Sequence, residues 1–216
     1  MSKNKWYRKE SWTQKDREDF FARHKRARER NKAAYLRIQA YHLEKIGTPE
    51  AIRGALELLD LMIKEWPEKI ELAMAYHQRA TCLESLGRID EAIIAYRNSF
   101  EAERQQPNVV TYAVLKFGMF AIRHNRPDLY QEVLSVLHEF VEESDMIFPA
   151  QQYLFHAITA IIADEFDLKQ AAKVHAKRAI EAAEMIHSGF RYHPNVGLVA
   201  KQDDTIETRL ARISAT

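Results

Sequence analysis

One cysteine, Cys82, is all the thiol chemistry the sequence offers. A lone cysteine excludes an internal disulfide and leaves no cysteine pair for a zinc site. Set among helix formers, it is expected as a small, partly buried side chain rather than a reactive thiol. Glycine and proline number six each, and neither occurs before Gly47. Material for hairpins and bulges is scarce, so strands are not expected. No apolar run approaches the ~18 residues that cross a bilayer, and no membrane contact is expected. The basic opening "MSKNKWYRKES" is not followed by an apolar stretch and does not read as a secretory signal, so a cytosolic location is the expectation.

Catalytic signatures are equally sparse. Neither G-x-x-x-x-G-K nor G-x-G-x-x-G is present, which argues against a phosphate-cradling loop. The nine histidines include no H-E-x-x-H, and in "HEFVEE" from His138 a glutamate stands where the second histidine is needed. His77 and His156 fall at repeat positions, which suits structural or groove roles better than a metal site. Glu142, Glu143, Asp145, Asp164 and Glu165 are numerous enough to resemble a carboxylate cluster, but charges near helix ends are ordinarily solvated and lack the burial that raises a pKa. No enzymatic activity, catalytic residue, metal or cofactor is expected.

The composition is that of an ordinary globular chain: 216 residues, 46% apolar and 29% charged. The net charge of +1 hides an asymmetry. Residues 1–37 hold 13 Lys/Arg against 5 Asp/Glu, a net +8, and the remainder carries 19 basic and 26 acidic residues, a net −7. A basic head joins an acidic body.

Pro49, Pro67, Pro107, Pro127 and Pro149 fall at or near the ends of apolar-periodic segments, where proline starts a helix but does not continue one. They divide the chain into helices at about 31–46, 50–65, 68–86, 89–104, 108–124, 128–143, 149–165 and 168–187, four pairs joined by short turns. The pairs share a register. Tyr76, Ala80, Leu83 and Leu86 on one helical face recur as Leu36/Ala40/Leu43/Ile46, Val114/Gly118/Ala121/His124 and His156/Ala160/Ala163/Phe166. The small residues Ala40, Ala80, Gly118 and Ala160 are 40, 38 and 42 apart, as expected where two helices of a pair cross closely. Ala92, Tyr96 and Ser99 recur as Ala55/Leu59/Met62, Val133/Leu137/Phe140 and Ala172/Ala176/Ala179.

"ESLGRIDEAIIAYRNSF" resembles the turn and second helix of the tetratricopeptide-repeat (TPR) family, with Leu86, Gly87, Asp90, Glu91, Ala92 and Tyr96 in matching places. "EKIGTPEAIRGALELLDLMIKEWP" keeps the glycine and the closing Pro67, "DEFDLKQAAKVHAKRAI" keeps the alanines, and "RHNRPDLYQEVL" keeps the spacing; Asn125 and Asp167 stand where the first two turns have glycine. The resemblance covers residues 31–187 and implies an all-α, right-handed solenoid of about four TPR-like helix pairs with N- and C-terminal capping helices. Three segments follow: a basic N-terminal helical arm (1–30), a TPR-like domain (31–187) and a C-terminal extension or cap (188–216).

In that family the first helices line a concave groove, and the function implied is non-enzymatic: an adaptor or scaffold that binds a peptide or helix of another protein. Mapping by register gives Arg37, Tyr41, Lys45, His77, Thr81 and Glu84 from the first two pairs. The last two contribute Tyr112, Leu115, Met119, Ile122, Arg123, Leu154 and Ile161. The latter set is greasy and needs a cover: either a partner, or the C-terminal segment through Phe190, Tyr192, Val196, Leu198 and Val199.

The arm reads as a helix with Thr13 as N-cap and Asp16 three residues on, ending near Arg28 or Glu29, with Asn31 as the next cap. Arg23, Arg26 and Arg30 form a basic seam. One reading has them contact nucleic acid, with Trp6, Tyr7 and Trp12 stacking on bases, or contact an acidic partner; the other has the helix pack its phenylalanines on the first repeat as a cap. A third functional alternative, motivated by the −7 body, is a bacterial-type immunity or antitoxin protein.

Overall fold

The computed structural model describes residues 6–143, 146–200 and 203–215. Among them are ten α-helices and no strand. The helices are α1 (Gln14–Lys25), α2 (Glu29–Ile46), α3 (Pro49–Glu65), α4 (Lys69–Ser85), α5 (Ile89–Gln105), α6 (Ala113–Arg123), α7 (Tyr130–Glu143), α8 (Pro149–Glu165), α9 (Lys169–Ala183) and α10 (Asp204–Ala215). A 3₁₀ turn, Pro127–Leu129, precedes α7. The contacts divide the chain into two compact units, residues 1–113 and 114–216. The division falls inside the segment expected to be one repeat domain, and the expected arm shares a unit with the first two pairs.

The turns between paired helices repeat one local solution. Gly47, Gly87, Asn125 and Asp167 all have positive φ, at 75°, 72°, 48° and 60°. This left-handed residue just past the helix lets the chain fold back over the last carbonyls. Arg88 N–H reaches Leu83 O while Gly87 N–H reaches Glu84 O, both at 2.9 Å. The same two bonds recur as Arg126 to Ala121 with Asn125 to Ile122, and as Leu168 to Ala163 with Asp167 to Asp164. Asn and Asp tolerate the left-handed region better than other residues with a Cβ, which is why they substitute for glycine there.

In the first unit, α2 packs on α3, α3 on α4, α4 on α5, and α2 also touches α4. The seam residues are core: Leu36, Ala40, Leu43, Ala55, Leu59, Met62, Ala80, Leu83, Ala92, Tyr96 and Ser99 are all buried. Burial of each large apolar side chain among them contributes about 1.5–3 kcal/mol. Ser99 keeps its hydroxyl satisfied by donating to Ala73 O across the α4–α5 seam at 2.8 Å. α1 is shorter than expected, ending at Lys25, and α2 starts at Glu29 with Arg28 rather than Asn31 at the N-cap.

The arm is tied into this unit. Thr13 Oγ1 accepts from Asp16 N–H while Asp16 Oδ2 accepts from Thr13 N–H, the two halves of a capping box. Lys9 N–H donates to Gln39 Oε1 and Gln39 Nε2 donates back to Lys9 O, each at 2.9 Å. Trp12 packs closely against Gly54 of α3, where a Cβ would come within 2.4 Å of its ring. Phe20 is fully buried among Trp6, Trp12, Phe21 and His24.

In the second unit α8 and α9 form the most extensive pair, with Ala172, Ala176 and Ala179 of α9 fully buried. Gly118 of α6 meets α8: a Cβ there would lie 2.7 Å from the Ile158 side chain. The nearest neighbours of the small residue of the third pair thus stand on the first helix of the fourth pair. α10 lies on α9 and α8 through Ile206, Leu210 and Ile213. Arg209 and Arg212 reach Glu165 and Asp164 at the end of α8, both at 2.7 Å. α10, within the segment expected as a cap, covers α9 and α8; of the five residues singled out for that role, Phe190, Tyr192 and Val196 are exposed and Leu198 and Val199 are half-buried, with Phe190 stacking on Phe148 at 5.4 Å.

Candidate interaction faces

The register residues of the first unit stand on α2 and α4. Arg37 of α2 is ion-paired with Glu71 of α4, which bridges the two helices. One turn on, Tyr41 is 40% exposed and Lys45 Nζ sits 4.8 Å from its ring centroid. On α4, Thr81 donates to His77 O at 3.3 Å, the His77 ring lies 6.3 Å from that of Tyr96, and Glu84 is half-buried. Helix geometry puts Arg37, Tyr41 and Lys45 on one stripe and His77, Thr81 and Glu84 on another, and contact between α2 and α4 places both in one unit.

The greasy set meets a different fate. Leu115, Met119, Ile122 and Ile161 are buried and Leu154 is half-buried. Their side chains are core, not open surface, because the register that lines one flank of a first helix also brings residues to the seam with the neighbouring helix. Tyr112 precedes α6 with φ 58° and is 37% exposed, and Arg123 is exposed at the end of α6. Tyr112 belongs to the first unit; Leu115, Met119, Ile122, Arg123, Leu154 and Ile161 belong to the second.

A separate feature lies at the α1–α2 turn. Trp6, Arg23, Arg26, Ala27, Arg28, Asn31 and Tyr35 line a cleft of about 640 Å³. Arg23 and Arg26 come from the expected basic seam, while Arg30 does not line it and Arg28 was not singled out by the sequence. Arg23 is paired with Asp19 at 2.9 Å and Arg26 Nε donates to Ala22 O at 3.1 Å. Tyr7 is buried, and the Trp6 ring packs within 5.4 Å of Tyr7, Phe20 and Tyr35. Trp12 is committed to Gly54. Of the three aromatics offered for stacking, only Trp6 reaches the cleft; Tyr35 joins it from α2.

Among the described residues, the histidines and carboxylates singled out by the sequence have partners within the protein. His156 of α8 and His175 of α9 share an Nδ1–Nδ1 hydrogen bond of 2.9 Å. Burial, with lesser contributions from His175 and Arg178, pushes His156 down to about 4, and burial lowers His175 as well. Among the described residues no three His, Cys, Asp or Glu side chains are placed to hold a metal ion. The Lys169 ammonium holds the Asp164 carboxyl below the usual range, opposite in sign to the tuning of a general acid. Glu165 pairs with Arg209 and Glu142 lies 3.7 Å from His138; Asp145 and the Glu143 side chain lie outside the described residues. Burial of Cys82 pushes its thiol well above its ordinary value, the reverse of an activated nucleophile. Among the described residues no helix is long and apolar enough to cross a membrane.

Compared with known proteins, the chain matches no family model, no curated protein and no solved structure.

Proposed function

We propose that the chain is a TPR-like interaction module whose first unit binds a short segment of another protein across the face of α2 and α4. The observation that carries this reading is the adjacency of α2 and α4, the first helices of successive pairs, bridged by Arg37 and Glu71. That adjacency is how stacked helix pairs build a continuous binding surface. Tyr41, with its ring open and a cation beside it, supplies the amphipathic anchor that interfaces favour. Lys45 complements a carboxylate on the segment, and Thr81 and Glu84 offer polar contacts at the rim. The mechanism is non-covalent, with a face pre-formed by the α2–α4 packing and little ordering cost on binding.

The test is affinity purification of tagged protein from its native cell, comparing the wild type with a Tyr41→Ala/Lys45→Glu variant of unchanged helical content. Loss of a specific co-purifying protein from the variant supports the reading. An identical set of co-purifying proteins contradicts it.

A further inference from the structure

The cleft at the α1–α2 turn combines two features that seldom occur together on a merely solvated surface. Three guanidinium groups, from Arg23, Arg26 and Arg28, line it together with two aromatic rings, Trp6 and Tyr35, and no carboxylate is among the lining residues. Among the described residues neither Arg26 nor Arg28 has a carboxylate partner. Arg26 is anchored through its Nε to Ala22 O, which leaves its two terminal nitrogens to serve an outside acceptor. Arg28 makes no side-chain cap for α2 although it occupies the N-cap position. A pair of guanidinium forks is matched to the oxygens of a phosphate, which it can hold bidentately.

The other wall is aromatic, with the Trp6 and Tyr35 rings inclined at 67° to one another. Trp6 and Tyr35 are in edge contact at 4.9 Å, and Asn31 Nδ2 donates to Tyr35 Oη at 3.4 Å. With its Nδ2 on Tyr35, the amide keeps its Oδ1 as an acceptor, the group an exocyclic amino group requires. The volume, about 640 Å³, lies within the range of small-molecule sites. The wall does not depend on a loose arm, because the Lys9–Gln39 exchange and the burial of Phe20 and Tyr7 fix the chain on both sides of it.

We infer that this cleft binds a nucleoside phosphate, its phosphate between Arg26 and Arg28 and its base against Trp6 and Tyr35. An acidic peptide would use the guanidinium groups but has no need of adjoining aromatic ring faces with an amide beside them. The same chemistry is presented by a free nucleotide and by the terminal nucleotide of a single strand. This site is distinct from the α2–α4 face, and its failure leaves the reading of that face untouched.

The full chain is titrated by calorimetry with adenosine 5′-monophosphate, the other three ribonucleoside monophosphates, adenosine, inorganic phosphate, a 5′-phosphorylated single-stranded RNA octamer and an acidic octapeptide. At least one mononucleotide is expected to bind about tenfold or more tightly than either phosphate or its nucleoside alone, and more tightly than the peptide. Arg26→Gln/Arg28→Gln, at exposed positions that leave the fold intact, should weaken it by about tenfold or more and flatten its salt dependence. Asn31→Ala should change the ranking of the four bases; Lys177→Gln, at an exposed position of α9, should leave binding unchanged. Tighter binding of the octamer, with a steeper salt slope, assigns the ligand to a strand; equal binding assigns it to the free nucleotide. Absence of mononucleotide binding, binding no tighter than that of inorganic phosphate or the peptide, or indifference to the double substitution overturns the proposal.

Discussion

Gln39 and Lys9, thirty residues apart, exchange two hydrogen bonds of 2.9 Å between a buried side-chain amide and the backbone N–H and C=O of one residue. A primary amide pairs with the N–H and C=O of one residue as a neighbouring antiparallel strand would, and here the pairing fastens the basic arm to α2. Replacing Gln39 with Leu keeps the volume but strands the Lys9 N–H and C=O in a partly buried place. The expected cost is about 1–3 kcal/mol, read as a lower urea midpoint. Protease cleavage before Thr13 should accelerate ahead of global unfolding.

Gly118 and Ile158 give a sharper packing test. Gly118→Ala in an isolated helix would gain up to about 1 kcal/mol. Here the new methyl would lie 2.7 and 2.9 Å from two Ile158 carbons, and overpacking costs about 1–3 kcal/mol. Net destabilisation is expected. A Gly118→Ala/Ile158→Val double substitution should recover part of it, a coupling visible in a double-mutant cycle.

Asn125 and Asp167 occupy the left-handed position that glycine fills in the first two turns. Asn125→Gly should stabilise by up to about 1 kcal/mol by removing the Cβ penalty, and Asn125→Ala should destabilise by about as much. Thermal melts of the two variants should move in opposite directions.

The His156–His175 pair makes acid stability predictable in sign. Burial lowers His156 to about 4 from an ordinary 6.5, so the unfolded chain binds more protons between those values and stability falls as pH drops through that window. Above pH 6.5 the effect is absent. A His156→Gln/His175→Leu variant should lose this part of the slope of stability against pH between 6.5 and 4, measured by urea denaturation at fixed ionic strength.

Helices and turns were legible in the sequence because proline placement and the recurring seam residues are local signals. Ala92/Tyr96/Ser99 and its three counterparts are all buried. α6 starts at Ala113 rather than near 108 because Thr111 turns back to Glu103, donating to its Oε1 through both its N–H and its hydroxyl, a tertiary contact that propensity does not encode. A C-terminal capping helix was expected, but its bounds were not assigned, although Ile206, Leu210 and Ile213 at spacings of four and three carry the signal of α10. The greasy half of the expected groove was misplaced for a different reason. Register assigns a helical face but does not say whether that face meets solvent or the next helix, and Leu115, Met119, Ile122 and Ile161 meet other side chains. Arg28 went unnoticed because only the break between α1 and α2 brings it beside Arg23 and Arg26 in one cleft.

The α2–α4 face is tested most directly by placing a photo-crosslinking phenylalanine analogue at Tyr41 in the native cell, with the exposed Asn98 of α5 as control. The account predicts that position 41 yields one discrete crosslinked protein, mapped to a single short segment, and that position 98 does not. Equal crosslinking from the two positions, or none from position 41, would contradict it.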